Sequence, residues 1–141
     1  MYKRQKQYLG RTIASLDFDQ DGDIDFLVGH LDQPLALLQN DTRTSGNWIQ
    51  IELIGSESER DAVGTRIVVS TTAGDHFTHW VTAGDGYLCS DEPMIDLGLG
   101  ENSKIEKLQV HWPGGMEQSF ENLKADRRYL IVEGCDVPHR R

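Results

Sequence analysis

The 141-residue sequence is poor in cysteine and in basic residues, and it has no long apolar run. Its two cysteines, Cys89 and Cys135, cannot build a tetrahedral metal site alone. They are either buried thiols or a disulfide, and nothing in their spacing decides between the two. Lys and Arg number 14 against 23 Asp and Glu, for a net charge of −9. That deficit argues against a nucleic-acid surface, which needs clustered cations, and against anionic lipid. It suits the binding of cations. No segment approaches the roughly 20 apolar residues of a membrane span, so no membrane insertion is expected. The opening "MYKRQKQ" is basic but precedes no hydrophobic core. It is not expected to be a signal peptide, and reads as the entry to a segment of a longer protein.

Helical periodicity is missing as well. The charged pieces at 57–62 ("ESERDA") and 121–128 ("ENLKADRR") are expected to hold a helical turn each at most. Catalytic signatures are absent: no G-x-S-x-G, no P-loop, no H-E-x-x-H, no C-x-x-C. "GLG" at 98–100 is a lone G-x-G with no helix behind it. The expectation is a protein that is not an enzyme.

What is present reads as β-structure throughout. "NWIQIELIG" sets Ile49, Ile51 and Leu53 on one face and Gln50 and Glu52 on the other, the period of a half-buried strand. Residues 64–83 read as a hairpin around the Ala-Gly-Asp turn signal. "KLQVHW" aligns Leu108, Val110 and Trp112, "PGGMEQSF" supplies a turn and a return strand, and "RYLIVEG" suits a strand buried on two sides. Two zones separate. Residues 9–42 hold three short strands, too few to bury a core alone. Residues 43–134 hold longer strands, and 135–141 form a tail. The Ser-, Thr-, Asn- and Gly-rich stretch 40–47 reads as the linker.

The densest chemistry lies in "DFDQDGDID", residues 17–25, with five aspartates at alternate positions. Asp17, Asp19 and Asp21 can converge once the chain turns, and Gly22 tolerates the positive φ such a turn demands. Hard oxygens in that pattern suit Ca²⁺. An EF-hand would need a bidentate Glu at the twelfth loop position, where this chain has Val28, and flanking helices where it has strand-like runs. The pattern therefore predicts a β-turn-β calcium loop closed by Asp25, with Asp23 contributing its backbone carbonyl. Carboxylates 4 Å apart repel by about 1 kcal/mol per pair even in water. A solvated acidic turn that binds nothing would rarely retain that cost.

"IASLDFDQDGDIDFLVGHLDQPLALLQND" resembles one FG-GAP/VCBS-type repeat, the calcium-loop repeat of integrin-like β-propellers. "NWIQIELIG", "RDAVGTRIVV", "GDGYLCSDEP", "DLGLG", "VHWPGG" and "ENLKADRRYLIVE" together resemble the ASPIC/UnbV domain. The first resemblance implies calcium at Asp17, Asp19, Asp21, the Asp23 carbonyl and Asp25, a propeller fragment of three strands where a blade has four, and an extracellular or cell-surface parent. The second implies a β domain with no general activity attached. The expected fold is thus all-β: a short calcium-loop propeller-type repeat plus an antiparallel sandwich- or barrel-like domain.

Other candidates are weaker. His76 and His79 are three apart on a strand, point to opposite faces, and are not expected to share a zinc ion. Trp48, Trp80, Trp112 and Tyr87 are candidates for sugar stacking. Trp112 shares an apolar face and reads as core, while Trp80, among Thr78, Thr82 and His76, reads as exposed. Asp85, Asp91 and Glu92 lack alternating spacing, so 83–93 reads as an ordinary connection rather than a second cation site. Arg60 and Arg66 are candidate partners for an anionic sugar or sulfate. The functional expectation is a calcium-stabilised, non-catalytic adhesion or interaction module with a carbohydrate or protein partner, and the alternative is an accessory domain of a larger enzyme or biosynthetic complex. Unpaired strand edges in a short repeat predict some homodimerisation.

Overall fold

The structure is a computed structural model that describes residues 9–42 and 45–140. The basic opening stretch lies outside the described residues, as do two positions of the expected linker. Eleven strands follow one another with no helix among the described residues: β1 Gly10–Leu16, β2 Asp25–His30, β3 Ala36–Leu38, β4 Asn47–Ile54, β5 Arg66–Thr71, β6 His76–Trp80, β7 Ile95–Gly100, β8 Lys104–His111, β9 Glu117–Lys124, β10 Arg127–Val132 and β11 His139–Arg140. No described helix is long and apolar enough to cross a membrane.

The chain forms two compact units. The first comprises residues up to 42 together with 84–92, and the second the remainder. In the first unit β1, β2 and β3 form an antiparallel sheet in sequence order. The aspartate run is the connection between β1 and β2, so the hairpin geometry sets where its carboxylates point. The segment 84–92 belongs to this unit although 41 residues separate it from position 42.

The second unit has two four-stranded sheets, β11-β10-β4-β7 and β6-β5-β8-β9. Neither closes on itself. The first sheet is mixed, because β10 runs parallel to β4 in the register Ile131 to Leu53, while β7 pairs with β4 antiparallel. The second sheet is antiparallel throughout. Both send alternate side chains into one core: Ile49, Ile51 and Leu53 from β4, Ile67 and Val69 from β5, Leu108 and Val110 from β8, Tyr129 and Ile131 from β10. Each fully buried Ile or Leu contributes about 1.5–3 kcal/mol, so this core carries the unit.

The expected alternation of β4, the hairpin β5–β6 and the return of β8 into β9 are all present. The expectation of a helical turn at 121–128 is not met: β9 runs through Lys124 and β10 begins at Arg127. The physical reason is a shift of phase. Asn122 takes a φ of 57°, so Phe120 and Leu123, three apart, are both buried. That spacing imitates a helical face. Residues 57–62 form bends and turns rather than a helical turn.

Candidate functional site

The loop between β1 and β2 folds back on itself through its own carboxylates. Asp17 is buried and accepts backbone N–H bonds from Asp21 (3.2 Å) and Gly22 (3.0 Å). Asp21 accepts from the Asp23 N–H at 2.9 Å. Asp19 accepts from the Gln39 amide at 2.5 Å. Gly22 sits at φ 95°, a conformation strained for any residue with a Cβ. As a result one carboxylate oxygen from each of Asp17, Asp19 and Asp21 lies within 4.8 Å of the other two.

That separation fits a shared cation. Two ligands of one Ca²⁺ at about 2.3–2.6 Å can stand at most about 5 Å apart. The donor set is oxygen only, which suits a hard ion and gives a thiophilic one nothing to bind. Asp17 and Asp21 already accept peptide N–H bonds, but each carboxylate oxygen has a second lone pair for a metal. The residues present therefore fit calcium.

The carboxylates of Asp23 and Asp25 are not among the three that lie within 4.8 Å of one another. Asp25 is almost fully buried and, like Asp17, accepts a backbone N–H on each oxygen, from Phe18 (2.9 Å) and Asn40 (2.7 Å). It ties the start of the loop to the residues after β3, and holds the frame in which the other three converge.

The segment 84–92 frames the loop from its other side. Ser15 N–H donates to the Asp91 carboxylate at 2.7 Å, and Glu92 N–H donates to Ser15 C=O at 3.0 Å. Asp17 N–H donates to the Glu92 carboxylate at 3.2 Å, and the Cys89 thiol donates to Ile13 C=O at 3.0 Å. These groups occupy the outer edge of β1, which therefore offers a second chain less backbone than a bare edge would. Asp91 and Glu92 act as backbone acceptors beside the loop, and Asp85 lines the same cavity as Asp91. No sequence signal marks this role, since two acids in a Gly-containing loop are commonplace. Arg11 lies over the Tyr87 ring at 5.3 Å from its centroid, in a shallow cavity of about 480 Å³ floored by Ile13, Phe26 and Val28.

In the second unit the carboxylate of Glu133 is buried at the end of β10. It accepts backbone N–H bonds from Ser56 (3.0 Å), Glu57 (2.9 Å) and Ser58 (2.7 Å), and the Ser58 hydroxyl at 2.8 Å. Burial pulls this carboxyl upward, and the Ser58, Ser56 and Glu57 donors outweigh it and hold it below its ordinary 4.5. Gly55 permits the tight turn: a Cβ there would stand 2.2 Å from the Glu59 carbonyl. Sequence reasoning missed Glu133, because it stood in a run recognised only for its apolar content.

The remaining candidates disperse. Both thiols are free, so Cys89 and Cys135 are not bridged. His76 contacts Ser70 at 3.0 Å, while His79 pairs in register with Ile67, and the two alternate across β6. His111 is half-buried and bonds Glu117 at 2.9 Å. Trp112 is core and Trp80 is exposed, as read from their neighbours. Tyr87 lies in the first unit and Trp80 and Trp112 in the second.

Two facing stacks of strands with a shared core, joined to a strand-flanked acidic loop, define an all-β protein of the non-helical, multi-sheet kind. The chain belongs to the ASPIC and UnbV family, whose match spans residues 55–137. Among curated proteins it is similar to cartilage acidic protein 1 of Xenopus tropicalis, 30% identical over 129 residues, covering 89% of this chain and 19% of that protein. The mouse protein of the same name is 30% identical over 102 residues, covering 70% of this chain and 16% of its own length. The human one is 29% identical over 102 residues, covering 70% and 15%. The chain thus spans less than a fifth of the curated relatives it matches.

Proposed function

We propose that this chain is a calcium-stabilised, non-catalytic interaction module of an extracellular or cell-surface protein, its first unit being an FG-GAP/VCBS-type repeat. The observation that carries the metal reading is the convergence of Asp17, Asp19 and Asp21 to within 4.8 Å on a hairpin loop. Three carboxylates that close repel one another unless a cation lies between them. Calcium in this role is structural. It pins the β1–β2 connection so that the two strands keep register, and Asp25 and the 84–92 segment hold the loop for it. The extracellular reading is supported by the relatives' name, which ties them to cartilage. The partner is a carbohydrate or a protein, and self-association through the edge strand β3 is part of the proposal.

Thermal unfolding across a calcium titration tests this. With Ca²⁺ at about 100 times its Kd the first unit gains roughly 2.7 kcal/mol. Asp19→Ala or Asp21→Ala abolishes that gain, and Asp75→Ala, in the β5–β6 turn, leaves it intact. An unchanged melting profile on adding chelator rejects calcium as a ligand.

A further inference from the structure

The outward face of the sheet β6-β5-β8-β9 carries a second, metal-independent surface. On β5 and β8 the side chains that alternate with the core residues Ile67, Val69, Leu108 and Val110 point away from the core. Register aligns Trp80, Arg66, His111 and Glu117 in one row across all four strands. Trp80 is 56% exposed, although an indole usually buries its large apolar area. The Arg66 guanidinium lies over its ring at 5.9 Å from the centroid. Among the described residues Arg66 makes no ion pair.

This arrangement has a defined chemistry. A stacked guanidinium keeps its N–H donors in plane, free to grip a carboxylate or sulfate with two parallel bonds. The neighbouring row offers Thr78 and Gln109 as hydrogen-bonding groups beside Val68. In the row beyond lies Lys107, paired in register with Ser70. None of the nine outward residues that β6, β5 and β8 contribute to these three rows is acidic, although acids outnumber bases 23 to 14 in the chain. The carboxylates within these rows, Glu117 and Glu121, lie on the edge strand β9, and Glu106 is exposed at the β8 bulge next to Lys107. Salt screens charges beyond about 8 Å at physiological ionic strength, so the groups of this face rather than the net charge of −9 govern what binds here; Arg66 stands two strands away from Glu117, while Lys107 is paired in register with Glu121.

We propose that this face binds an anionic pyranose of an acidic polysaccharide: the apolar face of the sugar ring stacks on Trp80, and Arg66 grips its carboxylate or sulfate. The shape supports a polymer. A sheet row is a flat, rigid track, unlike the enclosed cavities that small ligands favour. The proposal does not depend on the aspartate loop.

The test is a titration of the whole chain in EDTA, followed by tryptophan emission and by affinity. Heparin oligosaccharides supply sulfate and uronate, hyaluronan oligosaccharides uronate alone, and dextran no charge. Trp112 is buried and Trp48 half-buried, so a change in emission from an exposed tryptophan reports Trp80. Heparin or hyaluronan binding is expected and dextran binding is not; heparin alone identifies sulfate as the recognised group. Trp80→Ala and Arg66→Ala each weaken binding about tenfold, the size of one lost stacking or charge-assisted contact. Trp80→Phe loses less, and guards against a folding defect in Trp80→Ala. Arg66→Lys does not restore wild-type affinity, because a point charge lacks the fork. Lys124→Ala, on β9 outside the rows, changes nothing. Equal losses in Lys124→Ala, full affinity in Trp80→Ala and Trp80→Phe, dextran binding as tight as heparin, or binding that requires added Ca²⁺ each overturn the proposal. A chain that binds glycan in EDTA yet shows no calcium shift would reject the metal reading alone.

Discussion

At residues 17–21 three carboxylates face one another, whereas at residue 133 a single carboxylate faces only donors. Both places use acids to fix a turn. In the second unit the turn supplies its own positive end: three successive peptide N–H groups and a serine hydroxyl converge on Glu133, so folding completes the charge balance internally. In the first unit peptide N–H groups also reach Asp17 and Asp21, but the surplus of negative charge is too large for them. The lesson concerns where a fold is self-sufficient. A carboxylate held by an N–H nest needs nothing further, and the carboxylate cluster is the place where the proposed calcium would complete the balance.

The largest expected effect breaks the self-sufficient side. Glu133→Ala removes a charged acceptor and strands the donors of Ser56, Glu57 and Ser58, at a cost of roughly 3 kcal/mol or more. Chemical denaturation should register the same loss with calcium and with chelator. A loss that calcium repairs would erase the distinction between the two sites.

Next comes a contrast within the aspartate run. Asp25→Ala leaves the Phe18 and Asn40 N–H groups without their acceptor and should destabilise the first unit by about 2 kcal/mol even in chelator. Asp19→Ala in chelator should be neutral or stabilising, since it relieves repulsion by about 1 kcal/mol per close pair. Equal behaviour of the two variants would show that Asp25 does not frame the loop.

Acidity provides the third comparison. The Glu133 carboxyl is lowered in the fold from an ordinary 4.5. Between that value and the folded one, the unfolded chain binds the proton and the folded chain does not. Its stabilisation is therefore complete above pH 4.5 and is lost as pH falls through the folded value. Glu133→Gln should flatten that limb of an acid-unfolding curve followed by near-ultraviolet circular dichroism. The smallest effect belongs to the pair of half-buried His111 and exposed Glu117, where Glu117→Gln should cost no more than about 0.5 kcal/mol in urea unfolding.

Much of the fold was legible because period-two alternation is a local signal. Ile49, Ile51 and Leu53, or Leu108 and Val110, declare a buried face within five residues. The convergence of Asp17, Asp19 and Asp21 was legible for the same reason, since spacing and Gly22 specify the turn. Long-range pairings were not. Nothing near Tyr129 says that β10 lies parallel to β4, and nothing near Asp91 says that it serves Ser15, 76 residues earlier. Asn122 misled for a local reason, because its left-handed φ breaks the alternation that strand recognition depends on. Asp25 reads as a ligand by position, and only the geometry shows that its oxygens accept the backbone N–H groups of Phe18 and Asn40.

The reach of the 84–92 segment also sets an order of assembly. During synthesis β1, β2 and the aspartate loop leave the ribosome early, yet the groups that close the outer edge of β1 arrive only with Asp91 and Glu92. Until then the nascent hairpin carries an open edge, the condition that favours pairing with the wrong strand. A fragment ending at residue 42 would keep that edge for life. Cut at residue 42, the first unit is left without its clasp; a cut at residue 92 would keep the clasp but part β4 and β5 from their partners β7, β8 and β10.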